Sequence, residues 1–199
     1  MTQVQTAGHR RAVFLDRDGT IARYREYCRA PEEFELLPGS GQAIRRLNDA
    51  GFVVIIVTNQ SAIGRGWLTP EGLERIHEKM RRELKRYGAS VDAVYVCPHH
   101  PDDGCACRKP SGDMLLQASQ TLGVSLGDSY LVGDRLQDVL TGKRTGCTTI
   151  LVRSGHAPER AEGVQPDHTS ADLARAVAWI LRQGRSNQTA TGRLRQVVG

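Results

Sequence analysis

A chain of 199 residues, 39% hydrophobic and 25% charged, is long enough to bury its own core without disulfide staples. Its longest apolar run, "FVVIIV" at 52–57, is far short of the roughly 18 residues of a membrane span. The N-terminal "MTQVQTAGHRR" lacks the apolar core of a secretory signal, so a cytoplasmic protein is expected. A net charge of +5 suits an anionic substrate or nucleic acid, but aromatics at 5% argue against a stacking platform for single strands.

The first predicted strand, Ala12–Asp16, runs into "VFLDRDGT", where Asp16 and Asp18 are one residue apart. Side chains alternate along an extended strand, so both carboxylates start on the same side. At 4 Å they would repel by about 4 kcal/mol at an effective dielectric of 20, which calls for a cation or a shared proton. A predicted helix, Ser40–Ala50, leads to the continuously apolar strand Phe52–Thr58 and then "TNQS". Pro70–Tyr87 is the clearest helix: Leu73, Ile76, Met80 and Leu84 share a face, Thr69 precedes Pro70 as N-cap, and Gly88 follows. His77 within it reads as a solvated flank residue. Strand Ala93–Cys97 opens "CPHHPDDGCACRKP". Helix Asp113–Leu122, strand Ser129–Val132 with "VGDRLQD" behind it, helix Leu136–Thr145, strand Thr148–Val152 and helix Ala171–Leu181 complete the pattern. Beyond Gln183 apolar periodicity is lost, and 184–199 reads as a flexible basic tail.

Alternating strands and helices predict an α/β fold: a doubly wound, Rossmann-like parallel sheet in a single domain, 10–183, with no separate cap domain. Ligands of such sheets sit outside the carboxyl ends of the strands. That rim receives Asp16 and Asp18, then Thr58 and Asn59, then Cys97, then the loop carrying Asp134 and Asp138. Several carboxylates without a nearby histidine suit Mg²⁺.

Five cysteines, three of them within eleven residues, do not make a disulfide framework. Cys97, His99, Cys105 and Cys107 form a Cys₃His set in the loop 97–107, the usual composition of a closed structural zinc site. His100 reads as a solvated spare. Arg108 and Lys109 follow the last ligand directly, so the metal is expected to fix where these cations point. Losing zinc would then cost activity without removing a reacting group.

The order Asp16-x-Asp18-Gly-Thr, Thr58, Lys109-Pro, Gly133-Asp134-x-x-x-Asp138 resembles the haloacid dehalogenase superfamily of phosphatases over about Val13–Val152. The resemblance implies that Asp16 is the nucleophile that forms an aspartyl-phosphate and Asp18 the general acid, then base. Thr58 and Lys109 would hold phosphoryl oxygens. Mg²⁺ would lie on the Asp16 carboxylate, the Asp18 backbone carbonyl and Asp134.

Within the superfamily, the zinc loop before Arg-Lys-Pro is similar to the histidinol-phosphatase-like subfamily. "TNQSAIGRG" at 58–66 resembles its sugar-bisphosphate branch, whereas the histidinol branch typically has Asp where Ser61 stands. The short span between His99 and Cys105 also occurs in the histidinol branch. The expected reaction is removal of the 7-phosphate of D-glycero-D-manno-heptose 1,7-bisphosphate, a step of bacterial surface-sugar synthesis, with histidinol phosphate as the alternative substrate. Implied substrate residues are Tyr24, Arg25 and Tyr27 of "RYREY", with Asn59, Gln60, Ser61, Arg65 and Arg108. Arg23 and Arg25 are candidates for the second phosphate. "KPSGDM" departs from the family's pattern, so an altered turn is expected there. A monomer acting on a small molecule, without nucleic acid or membrane, is expected. Remoter alternatives are a nucleic-acid 3′-phosphatase and a zinc-stabilised nucleic-acid-binding module, which would leave the ordered aspartates idle.

Overall fold

The computed structural model describes residues 10–155 and 163–183, so the predicted tail at 184–199 lies outside the described residues. Six strands form one sheet: β1 (Ala12–Leu15), β2 (Val53–Asn59), β3 (Ala93–Cys97), β4 (Tyr130–Gly133), β5 (Thr148–Val152) and β6 (His168–Ser170). Their spatial order is β3-β2-β1-β4-β5-β6, and every pairing is parallel. This is the doubly wound order, in which the chain reverses direction of travel between β1 and β4. Leu15 pairs with Val132 across that junction, and the Asp16 amide continues the ladder to the Val132 carbonyl at 2.9 Å. Asp16 and the Gly133–Asp134 turn therefore leave the sheet side by side.

The strands are apolar on both faces because both are covered. Val13, Leu15, Val54 and Ile56 point into one core with Leu73, Ile76, Met80 and Leu84 of α3 (Pro70–Lys85). The alternate residues Ala12, Phe14, Val53 and Ile55 point into the other core, with Met114, Leu115 and Ala118 of α4 (Asp113–Leu122). The remaining helices are α1 (Ser40–Asp49), α2 (Ser61–Gly64), α5 (Leu136–Thr145) and α6 over 173–183. Thr69 does cap α3, accepting the Gly72 amide at 3.1 Å. Among the described residues no helix is long and apolar enough to cross a membrane.

Two elements go beyond the sequence pattern. β6 has three residues, His-Thr-Ser, with no apolar alternation to announce it, and is held to β5 by Asp167, which accepts from the Thr149 amide and hydroxyl at 2.8 and 2.7 Å. α2 is a single turn set between Thr58 and Arg65, too short for periodicity to register. It packs against the cysteine-rich loop: the Gly64 amide donates to the Pro98 carbonyl at 2.8 Å. A Cβ on Gly64 would lie 2.3 Å from the His100 nitrogen and 2.8 Å from the His99 carbonyl carbon. These are main-chain atoms that a rotamer change cannot move. Gly64→Ala should cost about 1–3 kcal/mol by overpacking, lowering the melting temperature by roughly 3–10 °C. A variant that melts with the parent would mean that α2 and the loop are not in this contact.

Candidate active site

Lys109 is the centre of the site. Its side chain is fully buried, and its ammonium makes three contacts: Asp138 Oδ1 at 2.6 Å, Asp16 Oδ1 at 2.9 Å and the Val57 carbonyl at 2.9 Å. All three of its N–H donors thus have partners. Burial pulls the Lys109 pKa down, but Asp138 and Asp16 more than offset this and hold it above its ordinary value. The same burial pushes the Asp16 carboxyl up to about 6 against the pull of Lys109, and also raises Asp138. The other oxygen of Asp138 accepts the Arg135 amide at 3.1 Å, capping α5, so Lys109, β1, β2 and α5 are tied through one ammonium.

Asp16, Asp134 and Asp138 are all buried and each offers an oxygen within 4.8 Å of the others. Three carboxylates around one ammonium leave an excess of buried negative charge. A hard divalent cation with oxygen ligands fits that donor set. Room for it depends on glycines: a Cβ on Gly19, which has φ +87°, would lie 2.2 Å from Asp134 Oδ2, and one on Gly155 2.0 Å from the same atom.

Asp18 lies beside this cluster with partners of its own. Its carboxylate is gripped by Arg17, with Nη2 at 2.7 Å from Oδ2 and Nε at 3.1 Å from both oxygens, and it also accepts from Gln60 Nε2 at 2.9 Å. The same Gln60 nitrogen donates to Thr58 Oγ1 at 2.8 Å, so one amide sets both side chains. Asn59 brackets the Lys109 backbone, accepting its amide at 3.1 Å and donating to its carbonyl at 3.2 Å. The Lys109–Pro110 peptide is cis.

The reading of His77 as solvated is corrected: His77 is 2% exposed. It lies on the inner face of α3 because Arg17, fully buried beneath, presents Nη1 to His77 Nε2 at 3.4 Å. A guanidinium only donates, so Nε2 is the unprotonated nitrogen and the proton sits on Nδ1, 3.8 Å from Glu74 Oε2. Burial and the Arg17 charge push the imidazole down to about 4.

A cleft of ≈ 280 Å³ opens above the carboxylates. It is lined by Asp16, Asp18 and Thr58, with Asn59, Gln60 and Ser61. Tyr24, Arg25, Tyr27, Arg65 and Arg108 line it as well. Lys109 and Asp134 lie immediately behind. Every residue expected at the site converges here, except that Arg23 does not line the cleft and instead pairs with Glu35 at 2.9 Å. Arg135, Gln137 and Glu26 also line it. Of these, Arg135 was the legible one, since it directly follows Asp134; its guanidinium carbon lies 5.6 Å from the centre of the Tyr24 ring.

Beside the cleft, Cys97, His99, Cys105 and Cys107 gather their ligand atoms within 4.8 Å. Neighbouring atoms are 3.2–3.7 Å apart, close to the edge of about 3.8 Å of a tetrahedron with Zn–S bonds near 2.3 Å. The set could hold zinc in a closed structural site. His100 stands outside it, its ring accepting the Asp102 amide at 3.3 Å. The cluster is anchored at both ends, with the Cys97 carbonyl accepting the Gln60 amide at 2.8 Å and Cys107 leading straight into Arg108 and Lys109.

Residues 106–176 match the HAD-hydrolase-like family model. The D-glycero-beta-D-manno-heptose-1,7-bisphosphate 7-phosphatase of Bordetella bronchiseptica is 39% identical over 175 residues, covering 86% of this chain and 98% of the relative. The crystal structure of D,D-heptose 1,7-bisphosphate phosphatase from B. bronchiseptica, complexed with magnesium and phosphate, superposes with a TM-score of 0.80. It is 37% identical and the match covers 87% of this chain and 99% of that one. The chain belongs to the heptose-bisphosphate phosphatase family of haloacid dehalogenase-like hydrolases. The enzyme of the same name from Burkholderia thailandensis is also similar, at TM-score 0.67 and 31% identity over 86% of this chain and 99% of that one.

His77 makes stability depend on pH. The imidazole stays neutral in the fold down to about pH 4 but protonates near 6.5 in the unfolded chain. Its contribution is complete above pH 6.5 and is lost as pH falls toward 4, by about 3 kcal/mol. The groups facing it, Arg17, Glu74, Arg81 and Asp18, are common to parent and variant. Urea unfolding of His77→Gln should therefore show a shallower loss of stability between pH 6.5 and 4 than the parent; parallel curves would place the imidazole in water.

Proposed function

We propose that this chain is a Mg²⁺-dependent phosphatase that removes the 7-phosphate of D-glycero-D-manno-heptose 1,7-bisphosphate. The observation that carries the reading is the sign of the cleft: carboxylates at its base, guanidiniums of Arg25, Arg65, Arg108 and Arg135 around it. Nε of Arg65 and Nη1 of Arg108 are buried without a hydrogen bond among the described residues. Such donors suit a second anionic group on the ester. The amine of histidinol phosphate would meet them with like charge, which argues against the alternative substrate. The size of the cleft suits a small ester rather than a nucleic-acid end.

In this reading Asp16, Asp134 and the backbone of Asp18 would hold Mg²⁺, which would supply positive charge to offset repulsion between Asp16 and the phosphoryl oxygens. Asp16 attacks phosphorus as its ester P–O bond breaks, giving an aspartyl-phosphate. Asp18 hands its proton to the departing sugar oxygen. Lys109 offers a phosphoryl oxygen the N–H that faces Asp16, and Thr58 its hydroxyl. In the second half Asp18 takes a proton from water, water bonds to phosphorus, and the bond to Asp16 breaks to release phosphate. Tyr24, Arg25, Tyr27, Asn59, Gln60, Ser61, Arg65 and Arg108 bind or frame the sugar. Cys97, His99, Cys105 and Cys107 would hold zinc, which would fix the start of the Arg108–Lys109 segment. The protein acts as a monomer in this reading, and free cysteines fit a reducing cytoplasm.

Phosphate release by the metal-loaded protein should be much faster from heptose 1,7-bisphosphate than from histidinol phosphate. Asp18→Asn should lower the rate by about 10²–10⁴-fold. Faster release from histidinol phosphate would reverse the substrate assignment.

A further inference from the structure

Trp67 is 49% exposed, an unusual setting for the largest side chain in the repertoire. It is not isolated. Its ring meets that of Tyr27 edge to face, with centroids 4.8 Å apart and planes at 90°. The guanidinium carbon of Arg65 lies 5.2 Å from the centre of the Trp67 ring and 5.7 Å from that of Tyr27. Because the two rings are only 4.8 Å from each other, both lie to the same side of the guanidinium, where their π-systems attract its charge together. The Trp67 amide donates to the Ala62 carbonyl at 2.9 Å, fixing the ring relative to the α2 turn that begins at Ser61. Arg65 itself lines the cleft, and its Nε is buried without a hydrogen-bond partner among the described residues. A buried donor steadied on two rings and left unmet by the protein is suited to an acceptor that arrives with the ligand.

We infer that Trp67, with Tyr27, clamps Arg65 so that its guanidinium meets the phosphate that is not cleaved, making Trp67 a positioning residue for substrate choice. The inference rests on the bisphosphate reading above. The two phosphates of a heptose bisphosphate are at opposite ends of the sugar, so the retained one falls away from Asp16, among the other residues lining the cleft, of which Arg65 is one. A monophosphate leaves the Arg65 donor unpaired, and the clamp converts that loss into discrimination. Among the described residues Trp67 does not line the cleft, so its contribution is to substrate preference through Arg65.

The test compares D-glycero-D-manno-heptose 1,7-bisphosphate with D-glycero-D-manno-heptose 7-phosphate, which carries the cleaved group and lacks the other. Trp67→Ala should lower the ratio of kcat/KM values, bisphosphate over monophosphate, roughly tenfold, through KM rather than kcat. Trp67→Phe, which keeps a π-face, should retain most of the parent ratio. A Trp67→Ala protein that keeps the parent's ratio, or that loses both activities in proportion to a fallen melting temperature, overturns the clamp while leaving the bisphosphate reading standing. A parent protein with no preference for the bisphosphate overturns that reading and the clamp with it.

Discussion

The interaction on which the rest depends is a buried ammonium shared by two buried carboxylates. Lys109 between Asp16 and Asp138 is an expensive arrangement, because desolvating charges costs several kcal/mol each and is recovered only when every donor and acceptor is matched. Here they are matched: Lys109 donates to both carboxylates and to Val57 of β2, and Asp138 also caps α5. Removing any partner would strand a charge in the interior, at a cost of about 3–5 kcal/mol. The geometry is therefore fixed before substrate arrives. The arrangement is still not neutral, since Asp134 brings a third buried carboxylate to the same point. An acidic pocket that retains one lysine and calls for further positive charge is suited to gathering a metal ion and a phosphoryl group on top of a nucleophilic oxygen.

Two supports hold that lysine from outside the charge cluster. Asn59, two residues past the apolar part of β2, takes both backbone groups of Lys109. The Cys₃His cluster holds the two residues before it, and is itself tied to the sheet because Cys97 is the last residue of β3, paired with Asn59. Sheet, metal loop and lysine thus form a closed circuit in which a shift of the loop is a shift of the ammonium. Gly64 places the α2 turn, and with it Ser61 and Arg65, against the same loop. The substrate-facing and lysine-bearing segments share one support.

The strands were legible because each is a continuous apolar run, which a sheet covered on both faces requires. The ligand set of the loop and the ordered acids were legible because their spacing is chemical. What could not be read was burial of charge. Arg17 looks like a spacer between two aspartates, yet it is fully buried and fixes Asp18; His77 looks like a flank residue, yet it completes the shell of Arg17. Both follow from α3 lying over the first loop, a tertiary fact with no local signature. β6 escaped for a similar reason, since it is ordered by the Asp167 contacts to Thr149 rather than by hydrophobicity of its own.

The central claim is that Asp16, seated on Lys109, carries the phosphoryl group between its two owners. The most direct measurement is acid quenching of the magnesium-loaded protein during turnover, followed by mass spectrometry of its peptides. The account predicts one phosphoryl group on the peptide containing Asp16, removed by hydroxylamine and absent from the Asp16→Asn protein. Turnover with no phosphorylated peptide at any quench time, or a phosphoryl group on another residue, would contradict it.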